Sequence, residues 1–151
     1  MPVQNITYSE TISQFQLACD EHLAISSFDS GTIDYLDASA VDRLYPFVYL
    51  RPLSANIANK VRTLGVELYS LDIPKLSGGS NVDLISNTEM YLYDILGWFN
   101  FGPAYRQQIY QVDLINAAPV NEAFQDRVYG WVANINIVTP FKEDFCNYPD
   151  I

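Results

Sequence analysis

A single histidine, two cysteines and eight basic residues among 151 positions leave this chain poor in the groups from which reactive centres are built. Cys19 and Cys146 lie far apart without the paired spacing of a metal site, and His22 alone does not complete one of the usual Cys/His kind. Both cysteines read as reduced thiols, and Cys146 as a small apolar plug rather than a nucleophile, since only Lys142 stands near it to favour a thiolate. A serine nucleophile would need a nearby base, and no Gly-x-Ser-x-Gly turn occurs. The cations run scattered from Arg43 to Lys142, which argues against a patch for phosphate backbones. No apolar run reaches the ~18 residues that suggest a membrane span. Residues 1–10 lack the basic-then-apolar order of a secretory signal, so the expectation is a protein made and kept in cytosol-like conditions, with no membrane partner.

What the chain does contain is apolar material. Hydrophobic residues make up 49% and charged residues only 17%, so a packed core is expected rather than disorder. The length suits one domain spanning 1–151, with a C-terminal arm at about 141–151. Eleven tyrosines and eight phenylalanines are more than one core of this size easily encloses, which favours contacts with other proteins. A net charge of −10 keeps such a molecule soluble, and equally suits the lining of a passage through which a like-charged polymer slides.

Periodicity gives the order helix, strand, strand, helix, strand, strand. Tyr8, Ile12, Phe15, Cys19 and Leu23 recur at three- and four-residue steps and predict an amphipathic helix over 8–23, capped by Thr7 or Ser9, with His22 on its last turn. Residues 26–42 read as a loop. Strands follow at 47–51, opened by Pro46 and bounded by Pro52, and within 59–71, joined by a loop around 54–58 as an antiparallel hairpin. Ser80 and Asp83 have capping-box spacing ahead of a helix over 81–99, whose apolar face is Leu84, Ile85, Thr88, Tyr91, Leu92, Ile95, Trp98 and Phe99. A strand at 107–115, a projecting hairpin connection over 116–125, and a long strand over 128–139 complete the chain. In that last strand Trp131, Ala133, Ile135 and Ile137 share one face and Asn134 and Asn136 the other. The fold expected is α+β: a two-layer sandwich, mainly antiparallel sheet with two helices packed on one face.

Three motifs invite chemistry and each has a plainer reading. Asp29, Asp34, Asp37 and Asp42 lack the alternating ligands and closing Glu of a calcium loop, and read as turn and cap residues. Ser77-Gly78-Gly79-Ser80 precedes a helix but lacks the Lys and Ser/Thr of a nucleotide loop, and reads as a linker. Eighteen acids offer many carboxylate pairs, which keeps a carboxylate-pair hydrolase as a third reading. No catalytic, cofactor-binding or metal residue is assigned, and no cofactor is expected.

The element order, the stretch Asp126-Arg127-Val128-Tyr129-Gly130-Trp131, the triplet Thr139-Pro140-Phe141, and Asp144-Phe145-Cys146 before Pro149 resemble small tail-completion or tail-terminator proteins of tailed bacteriophages, similar to those of phages infecting gut Bacteroidetes. The resemblance covers much of the chain and includes no catalytic motif. It implies a structural virion protein, not an enzyme, made in the bacterial host: six or twelve copies in a closed ring in the neck or tail. There it would meet other neck, portal-connector or tail proteins while DNA passes through the lumen without specific binding.

The surfaces expected to join copies are 117–125, with Pro119, Val120 and Phe124, and 141–151, with Phe141, Phe145, Cys146, Tyr148 and Pro149; the loop 28–42 ranks third. The terminal arm is read as lying either against the protein's own body or against a neighbouring subunit. From a different class, the alternative is a small acidic adaptor or inhibitor that binds a host or viral partner.

Overall fold

The computed structural model describes residues 5–32, 44–74, 81–103, 109–123 and 128–142. Its elements are α1 (Tyr8–Glu21), β1 (Ser27–Ser30), β2 (Phe47–Ala58), β3 (Val61–Asp72), α2 (Asn81–Asn100), β4 (Gln111–Ala123) and β5 (Val128–Pro140). The five strands form one sheet in the order β1-β2-β3-β5-β4. Three pairings are antiparallel and β1 runs parallel to β2, so this α+β fold has a mixed sheet.

Alternation along the strands divides the apolar residues between two cores. Val48 and Leu50 of β2, Leu64, Val66 and Leu68 of β3, Val112 of β4 and Ala133, Ile135 and Ile137 of β5 are buried in one cluster with Phe15, Ala18 and Cys19 of α1 and Leu92, Ile95 and Phe99 of α2. Both helices therefore contribute to this one core. Phe99 lies at its centre, with ring centroids 4.6 Å from Phe15, 4.9 Å from Trp98 and 5.5 Å from Tyr110. The intervening residues Phe47, Tyr49, Tyr69, Leu71 and Val128 form a second buried cluster, with Val120 and Val132 packed against it. The expectation of one core under the helices is thus too simple, because one end of the sheet is sealed on both faces.

Local chemistry accounts for the element ends. Thr7 caps α1, its Oγ1 accepting the Glu10 N–H at 3.1 Å. The helix stops at Glu21, with His22 in extended conformation as its C-cap, so His22 is not on the last turn and Leu23, fully exposed, is outside the stripe. Side-chain bonds then tie the two helices: His22 Nε2 to Asp94 Oδ2 at 2.8 Å, and Trp98 Nε1 donating to Glu21 Oε2 at 2.6 Å. At the far end of α2, the Asn100 amide donates to Val112 O at 2.8 Å and accepts the Val112 N–H at 3.2 Å, fastening the helix end to β4.

Four boundaries differ from the sequence expectation. Residues 27–30, read as loop, pair with 47–50 as β1, a strand too short and polar to show a period of its own. β2 does not stop at Pro52 or give way to a loop at 54–58. It continues to Ala58 across an irregularity between Pro52 and Ser54, because its β1 partner ends opposite Leu50 and Pro52 then lies on an edge where a missing N–H is tolerated. The true turn is Asn59-Lys60, both left-handed at φ 52° and 62°, as a two-residue hairpin requires. The connection expected over 116–125 is strand as far as Ala123, paired to β5 with shifts after Leu114 and Val120. Ser80 of the expected capping box lies outside the described residues.

Gly130 is the one position in the central strands that admits no other residue. Its φ is +154°, and a Cβ there would sit 1.9 Å from the Ser70 carbonyl oxygen of β3.

Candidate assembly surface

The two halves of β2 have opposite surroundings. Phe47, Val48, Tyr49 and Leu50 are buried between β1 and β3, whereas every residue over 52–58 is exposed. Beyond Leu50 no described strand pairs with the outer side of β2, so the second half of β2, joined to β3 by the hairpin, is an arm with one open edge, while β3 stays paired to β5. Leu53 and Ile57 are each 49% exposed on that arm and Val61 is 37% exposed. The stretch 52–66 holds two cations, Lys60 and Arg62, and no acid, in a chain whose net charge is −10.

On the opposite edge no described strand pairs with the outer side of β4, and this edge is better guarded. Asn100 occupies both backbone groups of Val112, Pro119 has no N–H to offer a further strand, and the register shift at Leu114 and Asn116 bends the strand. Asp113 is exposed on this edge, where the arm carries Lys60 and Arg62. Leu114 and Ile115 remain exposed on it.

At the tip of the arm, β5 ends beside the hairpin turn. The Phe141 N–H donates to Lys60 O at 2.9 Å, Lys142 N–H donates to Asn5 Oδ1 at 2.7 Å, and Asn5 Nδ2 donates to Lys142 O at 2.6 Å. Arg62 reaches the same N-terminal segment, donating to Ile6 O at 2.8 Å. These contacts enclose an open cavity of about 760 Å³ lined by Asn5, Ile57, Ala58, Asn59, Lys60, Pro140, Phe141 and Lys142. Lys60, Arg62 and Lys142, scattered in sequence, therefore lie at one end of the molecule; the absence of acid from 52–66 marks the first two, and nothing in the spacing marks Lys142.

Elsewhere among the described residues, His22, Cys19 and Glu67 are each held by their surroundings. His22 Nδ1 accepts the Ala24 N–H at 3.0 Å, so Nε2 carries the proton donated to Asp94 and neither nitrogen is left as a base. Burial, with Asp20 adding to it, pushes the Cys19 thiol up to about 12, which leaves it inert. Glu67 accepts from Arg51 Nη1 at 2.6 Å on one oxygen and from Tyr69 Oη at 3.0 Å on the other. Burial first and Glu67 second hold the Tyr69 phenol up at about 12. No group of three or more His, Cys, Asp or Glu is placed to hold a metal among the described residues. No helix there is long and apolar enough to cross a membrane.

The residues expected to join copies divide accordingly. Phe141 lines the arm cavity. Pro119 is exposed on β4 opposite Trp131, but Val120 is half-buried against the second core and serves the fold first. Phe124, Phe145, Cys146, Tyr148 and Pro149 lie outside the described residues, as does most of the loop 28–42. No protein-family model matches the chain, and no curated protein matches it.

Proposed function

We propose that this protein is a structural subunit of a tailed-phage particle, one copy of a closed ring in the neck or tail through which DNA passes without specific binding. The observation that supports this reading best is the arm over 52–66: apolar side chains, two cations and an open strand edge on an otherwise acidic body. Natural sheets blunt such edges unless something pairs with them. The arm and an acidic surface of the next copy are different surfaces, so their contact is head-to-tail, and a head-to-tail contact closes into a ring when its rotation divides a full turn. The acidic remainder of the chain suits a lumen that repels nucleic acid. Electron-microscopic class averages and the mass of the protein, alone and in purified particles, test this. A closed ring in either sample is the expected result. A monomer absent from particles, captured with one stoichiometric partner, would replace it with the adaptor reading.

A further inference from the structure

The open edge of β2 has a definite shape and charge, and one segment of the same chain matches both. Antiparallel ladders alternate, so with Ser54, Asn56 and Ala58 facing Gly65, Thr63 and Val61 across the hairpin, Ala55 and Ile57 direct their backbone groups away from β3. Ala55 and Ile57 carry no charge, and Ile57 also lines the cavity that holds Phe141, Lys60 and Lys142. Residues 143–151 read Glu-Asp-Phe-Cys-Asn-Tyr-Pro-Asp-Ile, with three acids, two aromatics and no cation. An extended strand added to a sheet edge gains main-chain hydrogen bonds, while pockets beside the edge select its side chains.

We propose, resting on the ring reading above, that the β2 edge at Ala55 and Ile57 and its adjoining cavity receive residues 143–151 of a second copy, with an aromatic side chain in the cavity and acids against Lys60 and Lys142. The neighbour's segment fits better than the chain's own. A segment leaving β5 must pass β3 and β2 and lie one strand beyond, three spacings or about 14 Å, which consumes about four residues in extended form. That crossing would spend Phe145 and leave only the end of the segment to pair. A neighbour's segment has no such crossing to make.

The native Cys146 makes the contact measurable in the full-length protein. Ile57→Cys and Ala55→Cys are prepared singly, oxidised mildly and run without reductant; buried Cys19 stays out of the exchange. The expected result is a ladder of covalently linked copies, abolished by Cys146→Ser and reduced several-fold by Lys60→Glu. A monomer of altered mobility would show the segment bound to its own body and overturn the proposal, as would absence of any cross-link. Wild-type mass measured in parallel separates the two readings: rings without cross-links sink the segment docking alone, and a monomer at all concentrations sinks the ring as well.

Discussion

The two ends of this sheet are built on different rules. At the level of Tyr49 and Leu71 it is closed: β1 covers the β2 edge, the helices cover one face and an aromatic cluster lies on the other. At the level of Ile57 and Val61 no described strand covers the β2 edge, and both side chains are exposed. Stability resides in the first end, and surface available to another molecule in the second. Substitutions separate the two, because those at the closed end should change melting and those at the arm should change association.

The largest effect is expected in the core beneath the helices. Phe99→Ala, which removes the ring shared by Phe15, Trp98 and Tyr110, should cost about 3–5 kcal/mol of unfolding free energy in denaturant titration. Gly130→Ala should follow at about 3 kcal/mol, since the new Cβ meets backbone that cannot yield and a φ that side chains avoid. If either were near neutral, the central strands would be far looser than the register implies.

Alkali should probe the buried side chains more gently. Tyr69 and Cys19 hold their protons more tightly folded than unfolded, both up at about 12 through burial. Their contribution is complete below the ordinary thiol and phenol values of 9.0 and 10.0 and disappears as pH rises toward about 12. Melting temperature should fall across that window, and more shallowly in Tyr69→Phe and Cys19→Ala; equal slopes in all three proteins would discount both groups.

At the arm the effects on stability should be the smallest. Ile57→Asp should shift unfolding free energy by no more than about 0.5 kcal/mol, as exposed substitutions usually do. Lys60→Gly should stabilise by about 0.5–1 kcal/mol, because Lys60 sits in the left-handed region that glycine enters without strain. Thermal denaturation of each, at a concentration where the protein is monomeric, checks both signs.

The same contrast explains what could be read in the sequence. The buried faces are legible because burial imposes period: the alternation around Ile135 and the helical stripe through Phe15 both correspond to buried residues. The arm is not, since Ser54 to Ala58 alternate nothing on a surface exposed all round, and Pro52 suggested a stop that only the missing neighbour strand makes unnecessary. β1 was hidden for a related reason: four half-buried residues become a strand only through β2. Asn59-Lys60 lacks the glycine that announces most tight hairpins. Phe141, expected at an interface from its place after the last strand, lines the cavity at the tip of the arm, whereas the gathering of Lys60, Arg62 and Lys142 depends on tertiary contacts no spacing reveals.

The most direct test is sedimentation of the wild-type protein beside the double variant Ile57→Asp, Lys60→Glu over a wide concentration range, with melting curves for both. The arm account predicts that the wild type assembles into a discrete oligomer while the variant stays monomeric with an unchanged melting curve. Equal assembly of the two proteins, at equal stability, would contradict it.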